Sequence, residues 1–353
     1  MHIIEARNVN AALPDALELL DAMGEKETSR NGPVLAMPEP VVTVYSHPCE
    51  RVLFSPLRDA NPFFHLMESL WMLAGRNDLE FPMRFNKNFA SYSDDGVTVH
   101  GAYGYRWRKW FGYDQLTVII NELRKNPESR RCVLTMWDAS VVELKRSGPA
   151  IRTTDLHMAM MGGKDVPCNT QIYFDCRFGK INMTVLCRSN DIWWGCYGAN
   201  AVHFSILQEF VAAAVGVPVG VYRQFSNNFH IYTDVVKQDG TGYATLAEEV
   251  AKCDYYAQTD SHIQPFPLVN TDVESWMEDL STFLQGPELR HHTDSLDPFF
   301  ANVAAPMYRA WIARKNKTGS SGLAEAMQIQ ASDWRMACGN WITRRENKTK
   351  EGQ

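Results

Sequence analysis

The stretch DVPCNTQIYFDCRFGKINMTVLCRSND, residues 165–191, decides the architecture. QIYFDCR runs into Phe178-Gly179-Lys180 and INMTVLC returns, which predicts a β-hairpin over 171–187. On the returning arm Ile181, Met183, Val185 and Cys187 share one face; Asn182, Thr184, Leu186 and Arg188 share the other. Cys168 stands ahead of the first arm, after Pro167. Arg188-Ser189-Asn190-Asp191 leave the second arm as a polar run.

Outward from the hairpin the chain alternates strand and helix signals. Residues 11–24 read as a helix ending at Gly24, and AVHFSILQEFVAAAV, 201–215, as a buried helix. PFFHLMESLWMLAG, 62–75, predicts a strongly apolar helix opened by Pro62 and closed by Gly75. Residues 33–46 read as strand material interrupted by prolines. Strands interspersed with helices imply an α+β domain. With no repeat or low-complexity linker, 1–353 reads as one domain, with room for an extra C-terminal element at about 300–353. A helix-like region covers 322–341, and the polar last fourteen residues are expected to fray.

Composition narrows the class. The chain is 45% hydrophobic and 22% charged, enough for a sizeable core. A net charge of -6 gives no global basic field, so nucleic acid is not an expected partner. An anionic ligand would need a local arginine or lysine cluster. Eight cysteines without a CxxC pair signal neither a zinc site nor a redox motif, and no metal is expected. The N-terminus does not read as a secretory signal and no apolar run spans a membrane. Free thiols fit a reducing compartment, so a cytoplasmic enzyme is expected.

Several residues are candidates for chemistry. A lone cysteine is most often a small apolar core residue, but Cys168 has the Arg188 cluster twenty residues on. A nearby arginine lowers a thiol pKa and holds an anion; the alternative is an Arg–Asp surface pair of little energetic value. Arg130 and Arg131, in SRRC, point to opposite faces of a strand, and Arg30 lies in the turn TSRNGP. With Ser189 these arginines make a phosphate pocket if folding gathers them, and surface charge otherwise. Glu68, inside the most apolar helix, is either a solvent-edge residue or an acid/base group. His230 and Tyr232 alternate with Ile231, either as packing residues or to hold a sugar hydroxyl. HGAYGYRWR, 100–108, favours a loop lined with rings.

The segments TSRNG, HLMESLWMLAG, AYGYRWR, ESRRCVLTMWD, PCN, RSND followed by Gly195, and FHIY share the order and spacing of one family. From Arg30 to Tyr232 the chain resembles thymidylate synthase and its pyrimidine nucleotide hydroxymethylase relatives. The resemblance implies an α+β fold with a bent mixed β-sheet flanked by helices, packed back to back with its twin in a homodimer. It implies Cys168 as the nucleophile toward C6 of the base, and Arg30, Arg188 and Ser189 as phosphate ligands. Arg130 and Arg131 would be lent across the dimer, and His230 and Tyr232 would hold the deoxyribose 3′-hydroxyl. Glu68 would organise water and move protons, and Tyr103 would help remove the C5 proton. Asp191 would hold the pterin of 5,10-methylenetetrahydrofolate, with Phe89 and Gly195 beside it.

Four departures bear on the product. Asn169 follows the nucleophile where synthases carry His, Phe89 replaces a Trp, and Asn190 precedes Asp191 as in hydroxymethylases. The chain ends in ENKTKEGQ rather than a short apolar tail that seals out water. Water then competes with hydride. The expected reaction is hydroxymethylation of dUMP, with thymidylate synthesis as the alternative. In the family an Asn marks uracil and an Asp marks cytosine. Asn200, in GCYGANAVHF, fills that role if one residue is inserted, and caps the following helix otherwise. That favours dUMP over dCMP. A reading of another class is a catalytically dead nucleotide-binding homologue, against which the intact Cys168, Glu68 and Tyr103 stand.

Overall fold

The computed structural model describes residues 1–139, 142–144, 151–237, 242–285, 296–316 and 321–351. The chain opens with β1 (His2–Ala6), α1 (Val9–Met23), β2 (Glu25–Ser29), β3 (Gly32–Ala36) and β4 (Val41–Tyr45). Asn8 starts α1 by accepting the N–H groups of Asn10 and Ala11, and Gly24 ends it. Residues 33–46 are, as expected, strand material interrupted by prolines. Pro38 and Pro40, which lack N–H donors, separate β3 from β4, and the two join different sheets.

Next come α2 (Pro62–Leu73), α3 (Glu80–Met83), α4 (Tyr103–Arg108) and α5 (Gln115–Lys125). Helix α2 buries every residue except Phe64. The expected ring-lined loop at 100–108 is helical from Tyr103, because Gly104 lets α4 lie directly on α2. A Cβ there would overlap the Met72 carbonyl. After β5 (Val133–Thr135), β6 (Val142–Leu144), β7 (Ile151–Thr153) and α6 (Asp155–Met160) comes the hairpin of β8 (Asn169–Arg177) and β9 (Lys180–Cys187). It turns through Phe178 and Gly179 at φ 53° and 67°. Then follow β10 (Asn190–Asp191), a wide helical turn over 192–199, α7 (Asn200–Val215), β11 (Val219–Ser226) and β12 (Phe229–Tyr232).

The main sheet has the order β1-β4-β11-β9-β8-β5, with parallel and antiparallel pairs; a second sheet runs β10-β12-β3-β2. Register gives the main sheet two unlike faces. Ile4, Thr43, Gln224, Val185, Ile172 and Leu134 form one cross-sheet row, and all are buried. The adjacent row on the other face is Ile3, Val42, Phe225, Leu186, Gln171 and Thr135, and all are partly or fully exposed.

The remaining elements are α8 (Thr233–Lys237), α9 (Tyr243–Ala251), α10 (Val273–Gln285), α11 (Ala305–Asn316), α12 (Gly322–Ala326) and α13 (Ser332–Glu351). The region 322–341 is thus two helices, and α13 continues to Glu351 through the described part of the end expected to fray. Trp311 and Trp341 pack on Phe63 of α2 with ring centroids 5.5 and 5.7 Å away. Arg344 and Arg345 both pair with Asp59, just ahead of α2. Among the described residues no helix is long and apolar enough to cross a membrane.

Candidate active site

Cys168 and Arg188 meet because the hairpin brings its two open ends together. Asn169 pairs with Cys187, and the Arg188 N–H donates to the Cys168 carbonyl at 2.9 Å. The Arg188 guanidinium lies 3.8 Å from the Cys168 sulfur and donates to the carbonyls of Val166 and Pro167. From the β2–β3 turn, Arg30 donates to the carbonyls of Gly163 and Lys164. Trp137 donates its indole N–H to Pro167. Residues 163–168 are therefore pinned from both sides by two arginines, with Ser189 half-buried next to one of them. The expected depressed thiol is not the resting state. Burial pushes Cys168 up and the Asp165 charge adds to this, outweighing the pull of Arg188 and Arg30.

Asn169, fully buried, spends its amide N–H groups on the carbonyls of Gln171 and Leu186 at the bulge where the β8–β9 register shifts. Tyr103 stacks on Phe204 at 5.7 Å, and its phenol lies close enough to Cys168 to be raised by it, burial being the larger cause. Glu68 faces His203 of α7, carboxylate to ring nitrogen 3.0 Å, both side chains buried.

Asp191 pairs in register with His230 across β10 and β12. Its carboxylate accepts the Trp194 N–H at 2.6 Å while its other oxygen is buried without a hydrogen-bond partner. Burial raises the Asp191 pKa and lowers that of His230. His230 and Tyr232 share a strand face with ring centroids 5.5 Å apart, and the Tyr232 hydroxyl accepts from Asn31 at 3.4 Å. Asn200 does not cap α7. Its amide donates to Asn190 at 3.1 Å, and Asn190 donates to Ser226 at 3.0 Å. Gly195 makes room for this pair: a Cβ there would sit 3.2 Å from the Asn190 oxygen.

Two groups of residues stand elsewhere. Arg130 and Arg131 are exposed just before β5. The neighbouring Cys132 bonds Phe174, six residues along β8 from Cys168 and so about 20 Å from it. Phe89 is buried edge-on against Phe64 and Trp71, and Tyr92 beyond it presents the exposed ring. The Tyr92 phenol is raised first by burial and then by Glu68, Tyr232, Asp191 and Asp165, which places it among the candidate groups. Sequence reading missed Tyr92, Asp165, His203 and Asn31. The i, i+3 ring spacing in NFASY was the available signal for Tyr92. Among the described residues no group of three or more His, Cys, Asp or Glu could hold a metal ion.

Residues 60–277 match the thymidylate synthase family model. The chain belongs to the thymidylate synthase family. It is 48% identical over 355 residues to the deoxyuridylate hydroxymethyltransferase of Pseudomonas phage M6, spanning 98% of this chain and 95% of that protein. The deoxyuridylate hydroxymethyltransferase of Bacillus phage SP01 is 32% identical over 74% of this chain and 62% of its own. A thymidylate synthase of Symbiobacterium thermophilum is 30% identical over 52% of this chain and 65% of its own. Among solved structures, the T4 phage thymidylate synthase superposes with a TM-score of 0.51 at 17% identity, covering 68% of this chain and 91% of that one. The α+β fold is the one the sequence pattern implied.

Proposed function

We propose that the chain converts dUMP to 5-hydroxymethyl-dUMP through a covalent adduct between Cys168 and C6 of the base. The observation that carries this is the Cys168 thiol held beside Arg188 on a loop that Arg30 also grips. Similarity to the phage M6 protein along nearly the whole chain supports the hydroxymethyl product. Arg30, Arg188 and Ser189 would bind the phosphate, and His230 and Tyr232 the 3′-hydroxyl. Thiolate addition at C6 makes C5 nucleophilic, and Tyr103 and Glu68 would move the protons.

The unsatisfied Asp191 oxygen and the half-exposed rings of Tyr92 and Trp194 fit a pterin, whose N–H groups would satisfy the carboxylate and whose rings would stack. Bound there, 5,10-methylenetetrahydrofolate supplies the one-carbon unit. Tritium release from C5-labelled dUMP in its presence, followed by product mass, tests the reading. Hydroxymethyl-dUMP is expected; dTMP as the only product would establish a synthase instead. Without release from either dUMP or dCMP, the enzyme reading fails.

Asn200 would recognise the uracil face, with Asn190 orienting it. Asn200→Asp is expected to shift the dUMP/dCMP ratio of kcat/KM toward dCMP by at least about tenfold. An unchanged ratio would remove Asn200 from base selection.

The exposed sheet face carrying Ile3, Val42, Leu186 and Phe225 fits the homodimer, and Arg130 and Arg131 beside it would reach the partner's phosphate. The double variant Leu186→Asp with Phe225→Asp is expected to run as a monomer in size-exclusion light scattering. A dimer of unchanged mass would place the interface elsewhere.

A further inference from the structure

Asp165 lies three residues before Cys168 on the pinned loop, and the mechanism above does not use it. The carbonyls of residues 163, 164, 166, 167 and 168 all accept hydrogen bonds, from Arg30, Arg188 and Trp137. This fixes the backbone on both sides of Asp165. Its carboxylate accepts the Gly101 N–H at 2.6 Å, and a Cβ at Gly101 would come within 2.7 Å of its other oxygen. Position 101 thus leaves room for the carboxylate.

The groups facing it come from several elements. Cys168 is on its own loop, Tyr103 and Arg106 on α4, and His100, Asp94 and Tyr92 on the segment between α3 and α4. Arg106 is largely engaged by both oxygens of Asp155 and by the Met136 carbonyl. The Asp165 charge raises the Cys168 thiol and the Tyr103 and Tyr92 phenols, so the carboxylate lies near these candidate groups.

We propose that Asp165 is the general base that takes a proton from the water forming the hydroxymethyl group, an assignment that rests on the hydroxymethylation reading. Water oxygen bonds to the electrophilic methylene carbon on C5. The methylene π electrons move into the ring as an enolate, and the water proton passes to Asp165. The enolate then re-forms the C5–C6 double bond as the Cys168 sulfur leaves C6 as thiolate. No external reductant is required.

Burial holds the Asp165 carboxyl up at about 6, against the pull of the Gly101 N–H, His100 and Arg106. That makes it a stronger base than an ordinary carboxylate while still ionised above that pH. The test compares wild type with Asp165→Asn and Asp165→Glu on C5-tritiated dUMP and methylenetetrahydrofolate. In Asp165→Asn, first-turnover tritium release persists. Intact-mass spectrometry finds the nucleotide plus one carbon attached to Cys168, and hydroxymethyl product falls roughly 100-fold. Wild-type product formation drops as pH falls through about 6, and Asp165→Glu keeps this acid limb and exceeds Asp165→Asn.

Hydroxymethyl-dUMP formed by Asp165→Asn at the wild-type rate, or loss of tritium release in step with product, overturns the assignment. So does equality of the Glu and Asn variants. Asn preserves an acceptor for Gly101, so the fold should stand, and circular dichroism checks it. If Asp165→Asn unfolds, an Asp165→Glu enzyme without the acid limb overturns the assignment by itself. Wild type yielding only dTMP sinks the hydroxymethylation reading, an outcome visible before any variant is made.

Discussion

Cys168→Ala is expected to abolish turnover, lowering product formation by at least roughly 10⁴-fold. The effect is large because no neighbour can substitute for the sulfur. Cys187, next to it across the hairpin, is fully buried in the core, and burial raises its thiol far above the ordinary range. The substitution should leave the fold intact. The hydrogen-bond contact of the Cys168 sulfur is with Arg188 at 3.8 Å, and that guanidinium keeps both of its carbonyl acceptors. Binding of dUMP, measured calorimetrically, should persist while tritium release and the covalent nucleotide adduct both vanish. Retained turnover would end the covalent mechanism.

The second large effect is on stability. Asp155→Ala is expected to cost about 3–5 kcal/mol, the range for removing one partner of a buried ion pair. Arg106 has no solvent exposure and donates to both Asp155 oxygens, at 2.6 and 3.0 Å. His100 and the Asp138 N–H also meet that carboxylate, at 2.8 and 2.7 Å. Alanine would leave the guanidinium charge buried with only the Met136 and His100 carbonyls and the His100 ring as acceptors. Urea denaturation at neutral pH measures the loss, and a variant within about 1 kcal/mol of wild type would show that the pair contributes little.

The same pair has a pH signature. Burial pushes Asp155 up, but hydrogen bonds and charge from His100 and Arg106 outweigh it and hold the carboxyl at about 2, below its ordinary 3.8. A depressed carboxyl stabilises the fold above its unfolded pKa, and the contribution is lost as pH falls from about 4 through about 2. Because Arg106 and Tyr103 share α4, losing the pair also loosens the helix that seats Tyr103.

The sequence made the centre of this molecule legible because its logic is local. Alternation over 171–187 and a tight turn dictate which residues of the hairpin face each other, but straight counting sets Cys168 opposite Ser189, and only the bulge at Asn169 brings Arg188 to it. The end of α1 at Gly24 was equally readable. The residues that escaped are joined over long separations. Asp165 is oriented by Gly101, and His203 meets Glu68 across two helices whose patterns are almost wholly apolar. The polar tail looked like a fraying end, yet Arg344 and Arg345 anchor it to Asp59 nearly three hundred residues earlier. The prolines at 38 and 40 showed that a strand would break, but the choice of different sheets for its halves was made by distant partners.

The clamp of α11 and α13 on α2 has a mechanical consequence. Glu68 and Phe63 point to roughly opposite sides of α2, and the tryptophans behind Phe63 press on the helix from the rear. The face of α2 that carries Glu68 is therefore backed by packed rings. Tyr92 and Trp194, each 55% exposed, carry no such backing of tryptophans. Under the proposed function, nucleotide and folate would then meet a braced wall at α2 and adjustable rings at Tyr92 and Trp194, a door hung in a frame rather than a jaw closing from both directions.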